Sequence, residues 1–384
     1  METIKDDVYF VGANDYRLDL FESHFKINHG MSYNSYVIVD EKIAIVDSTD
    51  ISVKDKWINN IKEVLKGRKP DYLIVQHMEP DHSANIVDFL KEYPDTIVVS
   101  RDLTFNMIKN YFRDFNLENK LEVKEGDELS LGKHVLKFIY APMIHWPEVI
   151  MTFDTYSKIL FSADAFGKFG ALDYKDKWID EARRYYFGIV GKYGFQVQQL
   201  FKKASNLDIQ TICPLHGPVL NENLVYYLNL YDLWSKYEPE NNGVLIAYTS
   251  VYGHTKEAAK LLEKLLKEKN VDVEIYDLAR DDLYEAVGKA FEYKNIVLAT
   301  TTYNMSIFPP MYDFLHNLIE RNFQNRNVAL IQNGSWAPTA IKVMKDLLAN
   351  QKGLNFIEPT ISIFSSLSDL NKQQIGKLAE DLSK

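Results

Sequence analysis

His77, Glu79, Asp81 and His82 fall within the short run Gln76-His-Met-Glu-Pro-Asp-His82, directly after the apolar stretch Tyr72-Leu-Ile-Val75. Imidazoles and carboxylates at the mouth of a buried strand are the donors that divalent metals take. His77 and Glu79, two apart in extended chain, point to the same side. Asp81 and His82 come one turn later and can face a neighbouring ion. Four donors are too few for two ions, so partners must lie downstream. Three are found, each after a predicted strand. His145 follows Lys137-Phe-Ile-Tyr-Ala-Pro142, Asp164 follows Ile159-Leu-Phe-Ser162, and His216 follows Thr211-Ile-Cys-Pro214. Loops at one edge of a sheet are where sites gather. Any one of these side chains alone reads as a solvated loop residue or a satisfied core group; four in a cluster and three at strand ends do not. Two divalent ions carry +4 against −3 from the three carboxylates, and a bridging hydroxide brings the set near neutrality. A carboxylate-rich donor set favours iron over thiolate-preferring metals, with zinc and manganese still compatible.

A second chemistry lies further along. Ser250-Val-Tyr-Gly-His-Thr255 stands between a predicted strand and a helix. Hydroxyls and backbone N–H groups at a helix N-terminus cradle an anion, and Gly253 lets the backbone approach a phosphate closely. The segment has neither the lysine of a P-loop nor the three-glycine spacing of a dinucleotide fingerprint, so a monophosphate fits best; the bland alternative is a helix cap. Thr300-Thr-Thr-Tyr-Asn-Met305 and Asn333-Gly-Ser-Trp-Ala-Pro338 end two further strands. Thr302, Tyr303, Asn304 and Met305, with Asn333, Gly334, Ser335 and Trp336, thus join Ser250, Val251, Tyr252, Gly253, His254 and Thr255 at carboxyl ends of strands, where open α/β sheets bind ligands. Tyr303 and Trp336 are placed to flank an aromatic ring system.

The elements that must position these residues fall into two styles. Up to about residue 240 strands and helices alternate irregularly. Residues 33–40 and 42–48 form a hairpin across Glu41, a helix spans 53–66, and a strand spans 72–76. A helix begins near Ser83, strands follow at 96–100, 136–141, 149–154 and 159–163, and one long helix runs over 178–203. This is the pattern of sheets faced by helices. Tyr237-Glu-Pro-Glu-Asn-Asn-Gly243 suits a linker. From Val244 strands (244–248, 272–276, 295–300, 327–332, 355–363) alternate strictly with helices (255–269, 283–291, 311–321, 338–349, 369–383), as in a parallel sheet covered on both faces.

Composition narrows the class. The 384 residues suffice for two domains, and 46% hydrophobic with 26% charged content is ordinary for globular protein. A net charge of −10 without a basic run argues against nucleic acid. Apolar runs are far too short for a membrane span, and Met1-Glu-Thr-Ile-Lys-Asp-Asp7 has no signal-peptide character. One cysteine, Cys213, excludes an internal disulfide and a cysteine-ligated iron centre, and reads as a buried strand residue. A cytoplasmic protein is expected. Of the other histidines, His134 and His316 read as surface residues, His29 has no company, and His24 reads as a side chain standing behind a ligand.

Residues 1–240 resemble the metallo-β-lactamase superfamily, with Glu79 where many members carry a second histidine. Residues 243–384 resemble flavodoxin, with His254 where many carry asparagine. Joined in this order, and with Gly30-Met-Ser-Tyr-Asn34, Ala141-Pro-Met-Ile-His-Trp-Pro147, Phe161-Ser-Ala-Asp-Ala-Phe-Gly167 and Pro214-Leu-His-Gly-Pro218, the chain resembles the flavodiiron proteins (A-type flavoproteins). The fold implied is an α/β chain: an αββα sandwich followed by a doubly wound parallel sheet. The activity implied is reduction of dioxygen to water, of nitric oxide to nitrous oxide, or both, using FMN and two non-haem iron ions per chain. By matching position, His77, Glu79 and His145 would hold one iron, and Asp81, His82 and His216 the other, with Asp164 bridging. Tyr185, in Ala182-Arg-Arg-Tyr-Tyr186, would bond substrate, with Tyr186 as the alternative. The family further implies a head-to-tail homodimer or a dimer of dimers, and a separate electron donor: a rubredoxin, with an NADH-dependent reductase or a deazaflavin as other options. A rival reading is a dizinc hydrolase of thioesterase or lactonase type, which leaves the flavin half without a task; another is an electron carrier with a vestigial metal site, which the full ligand set opposes.

Overall fold

The computed structural model describes residues 2–5 and 7–384; Met1 and Asp6, within the N-terminal run read above, lie outside the described residues. The chain divides into two compact units, Met1–Asp232 and Leu233–Lys384.

The first unit is built on two sheets. One orders its strands Thr3–Lys5, Val8–Phe10, Tyr36–Val39, Ile43–Val46, Tyr72–Ile74, Ile97–Ser100 and Lys120–Glu122. The other orders Glu128–Ser130, Val135–Tyr140, Ile150–Asp154, Ile159–Phe161 and Thr211–Cys213. Strand alternation decides what each face packs against. Ile38, Ala44, Val46 and Ile74 meet Leu136, Phe138, Ile150 and Phe161 between the sheets. Val37, Ile45 and Leu73 turn the other way, onto Trp57, Ile61 and Leu65 of the helix Lys54–Leu65. Helices thus cover both outer faces, giving the αββα sandwich. The hairpin across Glu41 is present, pairing Tyr36 with Val46 and Val39 with Ile43.

The long helix expected over 178–203 is interrupted. Trp178–Tyr185 gives way to a wide turn over Tyr186–Val190 and a tight one over Gly191–Tyr193, and helix resumes at Gly194–Ala204. Gly188 sits against the Phe25 ring, where a Cβ would come within 2.8 Å of it. Three glycines in seven residues and this close approach explain the break. His134 corrects a second expectation: it is fully buried, not on the surface, and its Nδ1 is 2.6 Å from Asp154 Oδ2. His316 is exposed as expected.

In the second unit Val273–Asp277, Asn241–Tyr248, Tyr293–Tyr303, Asn327–Asn333 and Asn355–Ile363 lie side by side and parallel, with Ser306–Ile307 folded back on the end of the third strand in sequence. Strand order 2-1-3-4-5 puts the topological switch between Asn241–Tyr248 and Tyr293–Tyr303, the place where such sheets bind ligands. Tyr237–Gly243, read as a linker, is tied into this unit. The buried Arg326 donates to the Tyr237 carbonyl at 2.6 Å, and the first strand already starts at Asn241.

Candidate functional site

Two of the metal-competent imidazoles, His77 and His216, are aimed by specific neighbours, and a third group fixes the turn that carries His77. Asp47, buried at the end of Ile43–Val46 with φ +52°, accepts from the backbone of Gln76 at 2.7 Å and of His77 at 3.3 Å, and so fixes the turn leaving Tyr72–Ile74. Glu148 Oε1 accepts from His77 Nδ1 at 2.8 Å and from Met78 N at 2.9 Å. The Ser32 carbonyl accepts from His216 Nδ1 at 2.7 Å. With Nδ1 engaged, the Nε2 atoms of His77 and His216 face inward. Asp81 and His82 occupy the helical turn Pro80–Ser83.

Two clusters result, His77, Glu79, His145 with Asp164, and Asp81, His82 with His216. His77 Nε2 lies 3.3 Å from His145 Nε2, and His145 Nε2 lies 2.9 Å from Glu79 Oε2. His82 Nε2 lies 3.0 Å from His216 Nε2, and Asp81 Oδ2 lies 3.3 and 3.2 Å from those same nitrogens. Asp164 spans both groups. Its Oδ2 is 3.2 Å from His77 and from His145, while its Oδ1 is 3.1 Å from His82 and 3.7 Å from His216.

The electrostatics ask for a cation. Burial opposes protonation of His77, yet Asp164, Glu148 and Glu79 lift its pKa well above the ordinary value. His145, likewise opposed by burial, is lifted to about 9 by Asp164 and Glu79. Burial would raise the Asp164 carboxyl, but His82, His77 and His145 hold it far below the usual carboxylate range. Both carboxylate oxygens of Asp81 and of Asp164 are buried with no hydrogen bond. Facing imidazole nitrogens and unsatisfied carboxylates are what metal ions resolve by displacing protons, so the residues present fit a two-metal site.

Reading the sequence missed Asp47, Glu148, Ser32 and Glu22. Asp47 ends a predicted strand and Glu148 directly follows His145-Trp-Pro147 and stands just before another, so both were visible as carboxylates at strand ends; Ser32 acts through its carbonyl, which no sequence signal marks. Glu22, at the tip of the hairpin Leu20–Phe21/Phe25–Lys26, has its carboxyl against Glu79. Although Glu22 is exposed as a residue, desolvation of its carboxyl beside the cluster and the Glu79 charge push it up to about 8. His24 is exposed, its Nδ1 2.8 Å from the Glu22 carbonyl and its ring against Phe25; His29, also exposed, stacks on Tyr174. Tyr185 is buried, with its ring 5.5 Å from that of His216 and its Cε1 3.1 Å from where a Cβ on Gly167 would sit; burial, then Asp164 and Asp81, push its hydroxyl pKa well up. Tyr186 packs instead on Phe187 and Tyr231. Cys213 is buried, and burial pushes its thiol up, out of nucleophilic range.

Glu148→Ala removes the acceptor for both His77 Nδ1 and the Met78 amide. It is expected to weaken metal binding about 10- to 100-fold, measured by chelator competition, with Glu148→Gln recovering most of the loss because it keeps an acceptor oxygen.

In the second unit a cleft of about 790 Å³ opens among the loops after Asn241–Tyr248, Tyr293–Tyr303 and Asn327–Asn333. Every flavin-site residue named from the sequence lines it except Gly253, and Thr301, Ala337 and Ser365 join them. Ser365 closes the fifth strand, a loop the sequence reading did not include. Gly253 is the N-cap of His254–Glu268 at φ +99°, and its amide donates to Ser250 Oγ at 3.1 Å. The first amides of that helix lack a side-chain cap. Thr302 Oγ1 instead accepts from Thr339 N and Ala340 N, and Asn333 exchanges hydrogen bonds with Ser365, so these two shape the loops from within. Tyr252 and Trp336 stand almost fully exposed at the rim, with Tyr303 half out. An open helix N-terminus at one end and aromatic rings at the rim fit a ligand with a phosphate and a flat ring system.

Comparison with known proteins agrees in both halves. Residues 31–217 match the ODP family beta lactamase pattern and residues 245–356 a flavodoxin domain. An uncharacterized protein of Methanocaldococcus jannaschii is 30% identical over 90% of this chain and 89% of its own. A nitric oxide reductase of Moorella thermoacetica is 28% identical over 93% and 91%. The chain belongs to the flavodiiron protein family. Its fold superposes on rubredoxin oxygen:oxidoreductase of Desulfovibrio gigas with a TM-score of 0.92, at 22% identity, over 100% of this chain and 97% of that one. This flavodiiron chain is an oxidoreductase, with a flavodoxin unit for FMN and a metal-binding unit of lactamase fold. The hydrolase reading finds no support among the relatives named here. Among the described residues no helix is long and apolar enough to cross a membrane.

Proposed function

We propose that this protein reduces nitric oxide or dioxygen at a pair of iron ions held in its first half, residues 1–240, with FMN in residues 243–384. The observation that carries the reading is the position of Asp164, which offers one oxygen to each of two ligand clusters. His77, Glu79 and His145 would hold one iron, and Asp81, His82 and His216 the other. Residues of these two clusters would thus hold a pair of irons able to supply electrons for reducing the gas, with FMN in residues 243–384 as the source of those electrons.

The chain's own residues set the conditions. Glu148 and the Ser32 carbonyl hold two imidazoles with Nε2 inward. Trp146, with its ring 5.3 Å from that of His77, and Phe21, 5.5 Å from His216, wall the centre with apolar surface. Tyr185, kept neutral by its surroundings, is a donor beside Asp164 and His216. In the other half the amides of His254–Glu268 would take the FMN phosphate, and Tyr303 and Trp336 would flank the ring. The proposal includes a separate donor of rubredoxin type, a head-to-tail homodimer or dimer of dimers, and a cytoplasmic setting. The names of relatives support the substrates and the donor: one is a nitric oxide reductase, another a rubredoxin oxygen:oxidoreductase.

Gas consumption by anaerobically reduced protein of verified iron and FMN content tests this reading. With reduced rubredoxin in excess as the electron source, multiple turnovers at a dioxygen or nitric oxide electrode are expected, and whichever gas is consumed faster names the substrate. No consumption of either gas by fully loaded protein refutes the proposal.

A further inference from the structure

A second cavity in the first unit has no role in ligand geometry, yet two of the metal loops form its inner wall. It measures about 40 Å³ and lies between the sheet containing Ile150–Asp154 and the helices Gly194–Ala204 and Leu224–Ser235. Its inner wall includes Ile144, the neighbour of His145, and Ala165 and Phe166, which directly follow Asp164; all three are buried. Its outer wall includes Leu200, Ala204 and Leu228, which are partly exposed. Tyr231 presents its ring here, because its hydroxyl accepts from Phe166 N. The lining therefore carries apolar groups from the helix surface to the residues beside the ligands.

The volume exceeds that of a single water, but a water needs two or more polar partners, which this lining does not offer; cavities of this kind stay dry and take apolar guests. A well-packed core closes such voids because they lower stability. Uncharged diatomic gases lose little on leaving water and gain dispersion contacts in an apolar void. We propose that this cavity binds a small apolar gas, dioxygen or nitric oxide, as a station on its way from the helix surface to the metal centre. The role as a route rests on the function proposed above; the binding itself does not.

Crystals pressurised with xenon test the binding, and stopped-flow mixing of reduced, iron- and FMN-loaded enzyme with each gas tests the route. A xenon peak is expected between Ala165 and Ala204. Ala204→Phe, which fills the outer wall, is expected to slow the second-order reaction with both gases roughly three- to tenfold while azide, a charged probe, binds unchanged. Leu200→Ala, which widens the same wall, should leave the gas reactions as fast or faster, and it serves if the larger side chain disturbs folding. Absence of xenon overturns the binding. Gas rates equal to wild type in the filled variant, with xenon bound in the parent, overturn the route. A parent enzyme that consumes neither gas refutes the functional reading, while xenon still decides the cavity.

Discussion

Asp164→Ala is expected to leave the protein without its metal pair and without turnover, yet with FMN still bound. The carboxylate is buried between four imidazoles, within 3.1 to 3.7 Å of His77, His82, His145 and His216. Each oxygen faces a different cluster, so alanine would take a donor from both proposed ions at once. It also removes the group that does most to lift His77 and His145, leaving Glu148 and Glu79 to oppose burial at His77 and Glu79 alone at His145. Asp164→Asn separates bridge from charge: its single acceptor oxygen can serve one cluster at a time, so iron content near one per chain is expected. Iron and flavin assays on purified protein, with turnover measured alongside, decide the matter. Two irons and undiminished activity in Asp164→Ala would remove Asp164 from the centre.

Gly253→Glu should do the reverse, emptying the flavin cleft while iron stays. A Cβ at this position meets nothing within 4 Å, so crowding is not the cause. The strain is in the backbone, since φ +99° costs a non-glycine residue about 1–2 kcal/mol. Charge adds a comparable effect. A carboxylate about 5 Å from a dianionic phosphate is repelled by about 1.7 kcal/mol even at the dielectric constant of water. Together these give about 3 kcal/mol, a loss of affinity of roughly a hundredfold or more. Gly253→Ala carries the strain without the charge and should lose roughly tenfold. Flavin fluorescence after dialysis measures both. Normal FMN content in Gly253→Glu would place the phosphate elsewhere.

The second half of the fold was almost fully legible in the sequence. Its three central strands carry apolar runs, its helices have period-3.6 faces, and two of them are capped by Asp282 and Ser368, so local signals agree with the tertiary arrangement. The short N-terminal strands and the broken helix were not legible. Thr3–Lys5 and Leu20–Phe21 are too short for periodicity to register, and the break at Gly188 is set by Phe25, a residue distant in the chain. The same division runs through the metal centre. Side chains that would ligate carry their chemistry in their residue type, and the clustering of His77 to His82 exposed them. The groups that aim them do so by contacts across the fold, as Glu148 does for His77 over 71 residues of separation. His134 was misplaced for that reason: its partner Asp154 lies on the neighbouring strand, and only the pairing of those strands buries both.

The candidate ligands are spread widely along the chain, which bears on when a centre built from them could form. His77, Glu79, Asp81 and His82 emerge from the ribosome early, but Glu79 and His77 meet His145 only across 66 and 68 residues, and His82 meets His216 only across 134. A growing polypeptide therefore offers iron an incomplete and flexible set of donors until the strand Thr211–Cys213 has been synthesised and docked beside Ile159–Phe161. If His216 is a ligand, a chain truncated before it is expected to bind fewer irons however well the rest of the sandwich assembles, and iron assay of such a fragment checks this.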